Sequence, residues 1–410
     1  MDGLARPVAA AAPWAEPYLT VGVTGTNGKT STTTLVAWAL REAGHRVLTE
    51  TTIGYALDGD VVSVPRTVGG FLTALEQAAR TGAKHAAIEV TSEALARGAA
   101  RSWRFDVGVF TNLTHDHLAA HGTFEHYLAS KAQLFVHLGP GRTAVLNACD
   151  EPALLLDRAT PPDVLRKWYA VPSRGPSLHE ADLVAASVRV AEDGTHVTLT
   201  PGELSDALGG AISTRLIGNV FAENALAAAL AALAAGVSGT DVRAGIARCP
   251  GVPGRFEIVA HEPLAVVDYA HTPDALARTC DTARALATAR GGRVLVVFGA
   301  GGGRDTAKRE PMGREVGQRA DTAFVTSDNP RNEDPREIAR VLAGGCRRGG
   351  RAQVKVVLDR REAIERALAR AHPEDVVVVA GKGHESGQIV GTETRPFSDA
   401  GVLRELLGSR

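Results

Sequence analysis

Six consecutive residues, Gly25-Thr26-Asn27-Gly28-Lys29-Thr30, constrain this chain more than any other stretch. They follow a short apolar run at residues 18–24, which reads as a buried strand. They precede residues 31–44, whose apolar positions recur at helical spacing up to Gly44. A strand, a glycine-rich turn and a helix start together turn backbone N–H groups and the positive helix end onto an anion. In such a loop Lys29 would reach the terminal phosphates of a nucleotide and Thr30 would bind Mg²⁺. The strict P-loop pattern asks for glycine at position 23, where this chain has Val23. A bare glycine turn would carry no chemistry; the Lys-Thr pair at the helix start is what argues for a phosphate site.

The rest of the chain must then be compatible with an α/β fold. With 410 residues it is too long for one ordinary core, so two or three domains are expected. Hydrophobic residues make up 44% and charged residues 22%, which excludes a disordered chain. A formal net charge of -1 gives no global field for nucleic acid. Cys149, Cys249, Cys280 and Cys346 show no C-x-x-C spacing, so a reducing, cytoplasmic setting is expected and a disulfide framework is not. The longest apolar tract, around residues 225–237, is too short to span a bilayer. Residues 1–17, rich in Ala and Pro at their start, read as a loose arm and lack the pattern of a signal peptide.

Residues 85–90 and 105–113 are further buried-strand candidates separated by helical stretches, which argues for a mainly parallel sheet. Residues 176–214 differ: two alternating runs flank Asp193-Gly194, which predicts a small antiparallel patch on the edge of the first domain. The Ala-rich residues 223–235 predict a tightly packed helix. "CPGVPG" at residues 249–254 interrupts both periodicities and marks a boundary. Beyond it the runs "LAVVDYA", "RVLVVFGAGG", "TAFVTSD", "QVKVVLD" and "DVVVVAGKG" predict a second doubly wound sheet.

"VGVTGTNGKTSTTTL" resembles the phosphate loop of the Mur ligases, the ATP-dependent amide-forming enzymes of cell-wall synthesis. Further matches follow in that family's order: "EVTSEAL", "FTNLTHDHLAAHGTFEHYLASKAQLF", "PGRFEIV", "DYAHTPDAL", "GGGRDTAKR", "TSDNPRNEDP" and "GKGHE". Together they resemble the MurE-type branch, which adds the third residue of the wall peptide. The resemblance implies a P-loop ATPase-like central domain at 18–250 and a Rossmann-like α/β C-terminal domain at 251–410. It implies a carboxylate activated by ATP to an acyl phosphate, then attacked by an amine. Gly25, Thr26, Asn27, Gly28, Lys29 and Thr30 would hold ATP with Asn112, Asn224, Arg255, Asp268 and His271. Thr30, Glu89, His117 and Lys131 would serve two Mg²⁺ ions, with Lys131 capped by CO₂ as a carbamate. Lys29, Lys131, His117 and Glu89 are the expected catalytic set. Arg304, Asp328, Asn329, Arg331, Gly381 and Glu385 would hold the incoming amino acid, for which Arg can pair a carboxylate and Glu an ammonium. "DNPR" resembles the variant that takes meso-diaminopimelate.

The sequence also departs from the family. Only residues 1–24 precede the loop, too few for the UDP-binding domain of the wall ligases. On the acyl side, Arg66-Thr67 stands for Thr-Thr, and Thr91-Ser92-Glu93 stands where Ser-Ser-His is usual; Ala99 replaces a basic residue. Phe221 replaces an expected Asn, and Gly387 a frequent Tyr. The resulting expectation is an ADP-forming ligase joining a carboxylic acid other than a UDP-muropeptide to an amino acid in a dedicated biosynthetic pathway. Its partners would be small molecules, neither nucleic acid nor membrane, with a carrier or partner protein as one source of the acid. Two other readings stand beside it: a MurE-type ligase whose UDP-binding domain comes from a partner, and a non-catalytic ATP-binding scaffold.

Overall fold

The structure, a computed structural model, describes residues 14–114 and 123–408. The described chain forms two compact units. One is built from the residues up to Arg189 with Gly194–Arg215 and Val220–Pro250; the other from Val190–Asp193, Leu216–Asn219 and Gly251 onward.

The first unit is organised by β1 (Leu19–Thr24), buried along nearly its whole length. It is followed by β2 (Val47–Glu50), β3 (Tyr55–Leu57), β4 (Asp60–Val62), β5 (His85–Glu89), β6 (Val107–Phe110), β7 (Thr143–Asn147), β8 (Leu165–Ala170), β9 (Leu183–Ala191), β10 (Gly194–Leu199) and β11 (Ala211–Thr214). Among the described residues these make one sheet in the order β11-β10-β9-β8-β7-β6-β1-β5-β2-β3-β4. The stretch from β2 to β9 is parallel. The pairs β2–β3, β3–β4 and β10–β11 are antiparallel. Continuous apolar runs suit the doubly covered centre, and alternating ones suit the edges. The antiparallel patch around Asp193-Gly194 lies at the sheet's edge as the alternation predicts. The Ala-rich helix spans Asn219–Ala234 and is buried on every side from Phe221 to Ala232, so small side chains are what let it fit.

Register brings the functional residues to one end of the sheet. Val23 of β1 pairs with Glu89 at the end of β5, and Thr24 pairs with Phe110 at the end of β6. The phosphate loop therefore emerges between two strand ends, where ligands bind in open parallel sheets.

Residues 14–17, read from sequence as the end of a loose arm, are instead ordered. Trp14 stacks on Trp103 with ring centroids 6.2 Å apart, and Ala15 is buried. Arg104 donates to the Glu16 carbonyl, and the Tyr18 hydroxyl donates to the Leu75 carbonyl. The indole offers more apolar area than an arm could leave in water, which composition alone did not weigh.

The second unit contains β12 (Glu257–His261), β13 (Leu264–Asp268), β14 (Val294–Phe298), β15 (Thr322–Val325), β16 (Gln353–Val356) and β17 (Val376–Ala380), ordered β12-β13-β17-β14-β15-β16. All pairs are parallel except the edge pair β12–β13. A separate hairpin joins β18 (Gly387–Val390) and β19 (Glu393–Pro396). The five apolar runs noted above are β13 to β17. Helices Arg309–Arg319 and Pro335–Gly349 meet backbone to backbone: a Cβ on Gly313 would come within 2.1 Å of the Leu342 carbonyl oxygen, and one on Gly317 within 2.2 Å of that of Cys346. No helix among the described residues is long and apolar enough to cross a membrane.

Candidate functional site

The phosphate loop is braced from strand β6. Thr26 N donates to the Asn112 carbonyl, Asn27 N to Asn112 Oδ1, and Asn112 Nδ2 back to the Asn27 carbonyl. The Thr111 hydroxyl donates to the same Asn27 oxygen at 2.7 Å. Asn112 thus shapes the loop. Gly28 turns the chain with φ 85° as the last residue before the helix Lys29–Glu42, and a Cβ there would lie 2.4 Å from Asn224 Oδ1. Asn224 is buried against the loop, and its Nδ2 has no hydrogen-bond partner. An orphaned buried donor beside a phosphate loop is what an absent polar ligand leaves behind.

Two lysines and a carboxylate converge on this loop. Lys29 Nζ donates to the Thr26 carbonyl at 2.8 Å and lies 4.0 Å from Glu89 Oε1. Glu89, largely buried, accepts from the Thr30 hydroxyl at 2.8 Å, from Thr52 N at 3.0 Å and from the Thr52 hydroxyl. Lys131 is 1% exposed on the helix Phe124–Val136; its Nζ donates to the Gly25 carbonyl at 2.6 Å and lies over the Tyr127 ring. Tyr127 in turn shares a hydrogen bond with Thr26. Four of the expected residues, Lys29, Thr30, Glu89 and Lys131, are therefore brought together. His117 lies outside the described residues. Among the described residues no three His, Cys, Asp or Glu side chains form a metal-binding group. Mg²⁺ commonly takes one or two protein oxygens, with water and phosphate completing its shell.

Beside Glu89 opens a chamber of about 320 Å³ in the first unit. Arg66, Thr67 and Thr91 line it, as does Glu50, which the sequence did not single out. Ser92 and Glu93, expected with them, are not in its wall, and Glu93 is exposed because it faces outward from the short helix Ser92–Ala96. Thr67 and Thr91 also cap helices, accepting from Gly70 N and Ala94 N. Burial pushes the Glu50 carboxyl up to about 7 even though the Tyr55 hydroxyl donates to it at 2.9 Å. Arg66 donates to the Thr52 carbonyl and so steadies the loop that holds Glu89.

In the second unit the expected amino-acid residues fall into two groups. Arg331 has the rare left-handed φ of 53°, and its Nη1 donates to the Gly302 carbonyl. Arg304 is exposed, and both arginines flank Gly301. The other group surrounds a residue the sequence reading did not name. Lys382 is wholly buried; its Nζ lies 2.9 Å from Asn329 Oδ1, 3.1 Å from Glu385 Oε2 and 3.5 Å from Asp328 Oδ1. Asn329 Nδ2 donates to the same Glu385 oxygen. Asp328 Oδ1 is buried and accepts no hydrogen bond. Two carboxylates thus face one lysine. Gly381, with φ 118°, runs close by; a Cβ there would meet Asp328 Oδ2 at 2.9 Å. Arg309 and Glu333 pair beneath the glycine segment, with Gly303 N donating to Glu333.

The three residues expected to meet nucleotide from this unit sit differently. Asp268 is buried and accepts from Phe256 N, Ala270 N and the Thr279 hydroxyl; burial holds its carboxyl above the usual range. It acts as an internal brace. Arg255 stacks over the Tyr269 ring at 4.4 Å, and His271 bonds the Tyr269 carbonyl.

Comparison with known proteins matches residues 23–232 to the Mur ligase middle domain and residues 254–383 to the Mur ligase glutamate ligase domain. The UDP-N-acetylmuramoyl-L-alanyl-D-glutamate--2,6-diaminopimelate ligase of Solibacter usitatus is 40% identical over 94% of this chain and 76% of its own length. The enzyme of that name from Streptomyces coelicolor is 41% identical over 95% of this chain and 76% of its own. A solved structure of a ligase of that name superposes with a TM-score of 0.65 at 30% identity, covering 98% of this chain and 80% of that one. The folylpolyglutamate synthase of Mycobacterium tuberculosis, solved with ADP and AMPPCP, shares the fold: TM-score 0.71, 21% identity, 98% and 94% covered.

Proposed function

The chain belongs to the Mur ligase family, and from that membership we propose that it joins a carboxylic acid to a diamino acid by the MurE-type reaction. It is an ATP-dependent, ADP-forming acid–amino-acid ligase. The acid best supported by its relatives is the one in their name, the D-glutamyl carboxylate of a UDP-linked muropeptide. The sequence-based expectation of an acid other than a UDP-muropeptide finds no support among these relatives, which favour the MurE-type alternative instead. The cytoplasm is the matching compartment, where its four free thiols stay reduced.

One observation carries the reading: Lys29, Thr30, Glu89 and Lys131 converge on a loop that ends at a helix N-terminus. A carboxylate oxygen attacks the γ-phosphorus of ATP, the bond to the β-phosphate oxygen breaks, and ADP leaves. Charge grows on the transferring phosphoryl group, and Lys29 with the loop N–H groups opposes it. Thr30 and Glu89 would hold Mg²⁺ with His117, and the ion would supply positive charge against the nucleotide phosphates. Lys131 would carry the carbamate. The N–H left after CO₂ capping can still donate to the Gly25 carbonyl. The amine then attacks the acyl carbon, the C–N bond forms, and phosphate departs. The Asp328–Lys382–Glu385 group leaves one net negative charge for an ammonium, and Arg304 and Arg331 suit a carboxylate. A diamino diacid carries both.

The test is phosphate release with ATP, Mg²⁺, meso-diaminopimelate and UDP-N-acetylmuramoyl-L-alanyl-D-glutamate, with the amide identified by mass spectrometry. Release is expected only when all are present. Nucleotide binding without amide would favour a scaffold, and release without acid a nucleotide-driven motor; either outcome overturns the reading.

A further inference from the structure

We propose that the chamber beside Glu89 admits a second class of acyl substrate, small carboxylic acids with an apolar or aromatic body, and that this chain ligates them to the same amine. The proposal rests on the reaction above and goes beyond its acid.

The chamber's volume of about 320 Å³ lies in the range of small-ligand sites. Its walls are mainly apolar: Val68, Phe71 and Leu72 on the helix Val68–Arg80 face Trp103 and Phe105. Phe71 meets Trp103 edge to face at 5.6 Å. Trp103 and Phe105 are buried and fixed, Phe71 and Leu72 only partly covered, and Val68 is 68% exposed. Phe71 and Leu72 pack against the core yet stay partly uncovered where they line the chamber, and an apolar ligand body would gain by covering them.

The chamber is not apolar throughout, and its polar groups fix which end of a ligand goes where. Glu89, the carboxylate hydrogen-bonded to Thr30 at the phosphate loop, is part of its wall. Arg66 and Arg97 also line it and complement a carboxylate. An acid entering with its body against Phe71 and Leu72 can present its carboxylate toward that polar wall. From there the balance is that of the main reaction. A carboxylate oxygen bonds to the γ-phosphorus as ADP leaves. The amine nitrogen then bonds to the acyl carbon as phosphate leaves, and the ammonium protons pass to solvent.

3-Phenylpropionate is the probe. With ATP, Mg²⁺ and meso-diaminopimelate, the full chain is expected to release phosphate in a saturable, acid-dependent way and to form the phenylpropionyl amide. Leu72→Trp, which fills the chamber, is expected to raise KM for 3-phenylpropionate at least tenfold. Phe71→Leu, which keeps an apolar wall, should change it less than threefold. Melting curves with and without ATP confirm that both variants fold and bind nucleotide. Amide from the muropeptide but none from 3-phenylpropionate overturns this proposal and leaves the main reading standing. Amide from neither overturns both. A Leu72→Trp enzyme with unchanged KM for 3-phenylpropionate shows that the acid binds elsewhere, and likewise overturns it.

Discussion

Glu89 does two things at once. It accepts three hydrogen bonds from Thr30 and Thr52, and it lies 4.0 Å from the Lys29 ammonium. Glu89→Gln preserves shape but removes the charge, so kcat for amide formation should fall on the order of a hundredfold or more while the fold persists. Steady-state kinetics beside a melting curve checks this. Lys382 predicts a different signature. Lys382→Met frees Glu385 and Asn329 from their shared partner, so KM for the amino acid should rise at least tenfold with kcat within a few-fold. Stability should drop by about 1–3 kcal/mol. Lys29 and Thr30 were legible from a contiguous run whose spacing has a mechanical meaning, and Glu89 only from the resemblance of "EVTSEAL" to the family. Lys382 was not, although "GKGHE" was noted: its partners Asp328 and Asn329 arrive from another strand end, and only the parallel sheet brings them within reach. Asp268 shows the converse. Its motif pointed toward nucleotide, whereas its carboxylate bonds inward to Phe256, Ala270 and Thr279.

Among the elements, β5 carries a pH-sensitive neighbour. His85 opens the strand and stacks on His45 with ring centroids 3.9 Å apart. Burial, then the adjoining imidazole, lowers its pKa to about 4 from an ordinary 6.5. The unfolded chain thus takes up a proton near pH 6.5 that the folded chain refuses until about 4, and stability is lost as pH falls through that window. His85→Gln should flatten the Tm profile between pH 6.5 and 4 without altering it above pH 7. The caps offer a second check. Thr91→Ala should cost about 1 kcal/mol by removing the hydrogen bond to Ala94 N, and Thr91→Ser should restore it. The strands most visible from sequence were those buried along nearly their whole length, β1, β13, β14, β15 and β17, whose apolar runs are nearly continuous; the edge strand β16 is exposed at both ends. The hairpin β3–β4 was missed: each strand has three residues, Tyr55–Leu57 and Asp60–Val62, too few to display a period. The edge strand β12 is half-buried along nearly all its length and gives no clean alternation.

For the molecule as a whole, nucleotide is expected to act as a stabiliser through linkage. At a hundred times its Kd, MgATP should raise unfolding free energy by about 2.7 kcal/mol. Chelating the metal should remove most of that gain, because the anionic phosphates would then face the Glu89 carboxylate with only Lys29 and the loop N–H groups to offset it. Scanning calorimetry with ATP, with and without a chelator, measures both. Division into two α/β bodies was visible in the sequence because the glycines and prolines near residues 249–254 break the pattern between two sets of apolar runs. Ordering of Trp14 against Trp103 was not visible, since a single indole in an Ala- and Pro-rich stretch has no periodicity to announce it.

The paired helices Arg309–Arg319 and Pro335–Gly349 carry a final consequence. Where main chain abuts main chain, every mutation runs in one direction, since no natural side chain is smaller than hydrogen. A library randomising both helices, sorted for folded protein, should scatter freely at outward positions such as Arg340 and return the starting codon's amino acid at Gly313, Gly317 and Gly345. Drift at these glycines is barred by geometry well before selection on chemistry begins.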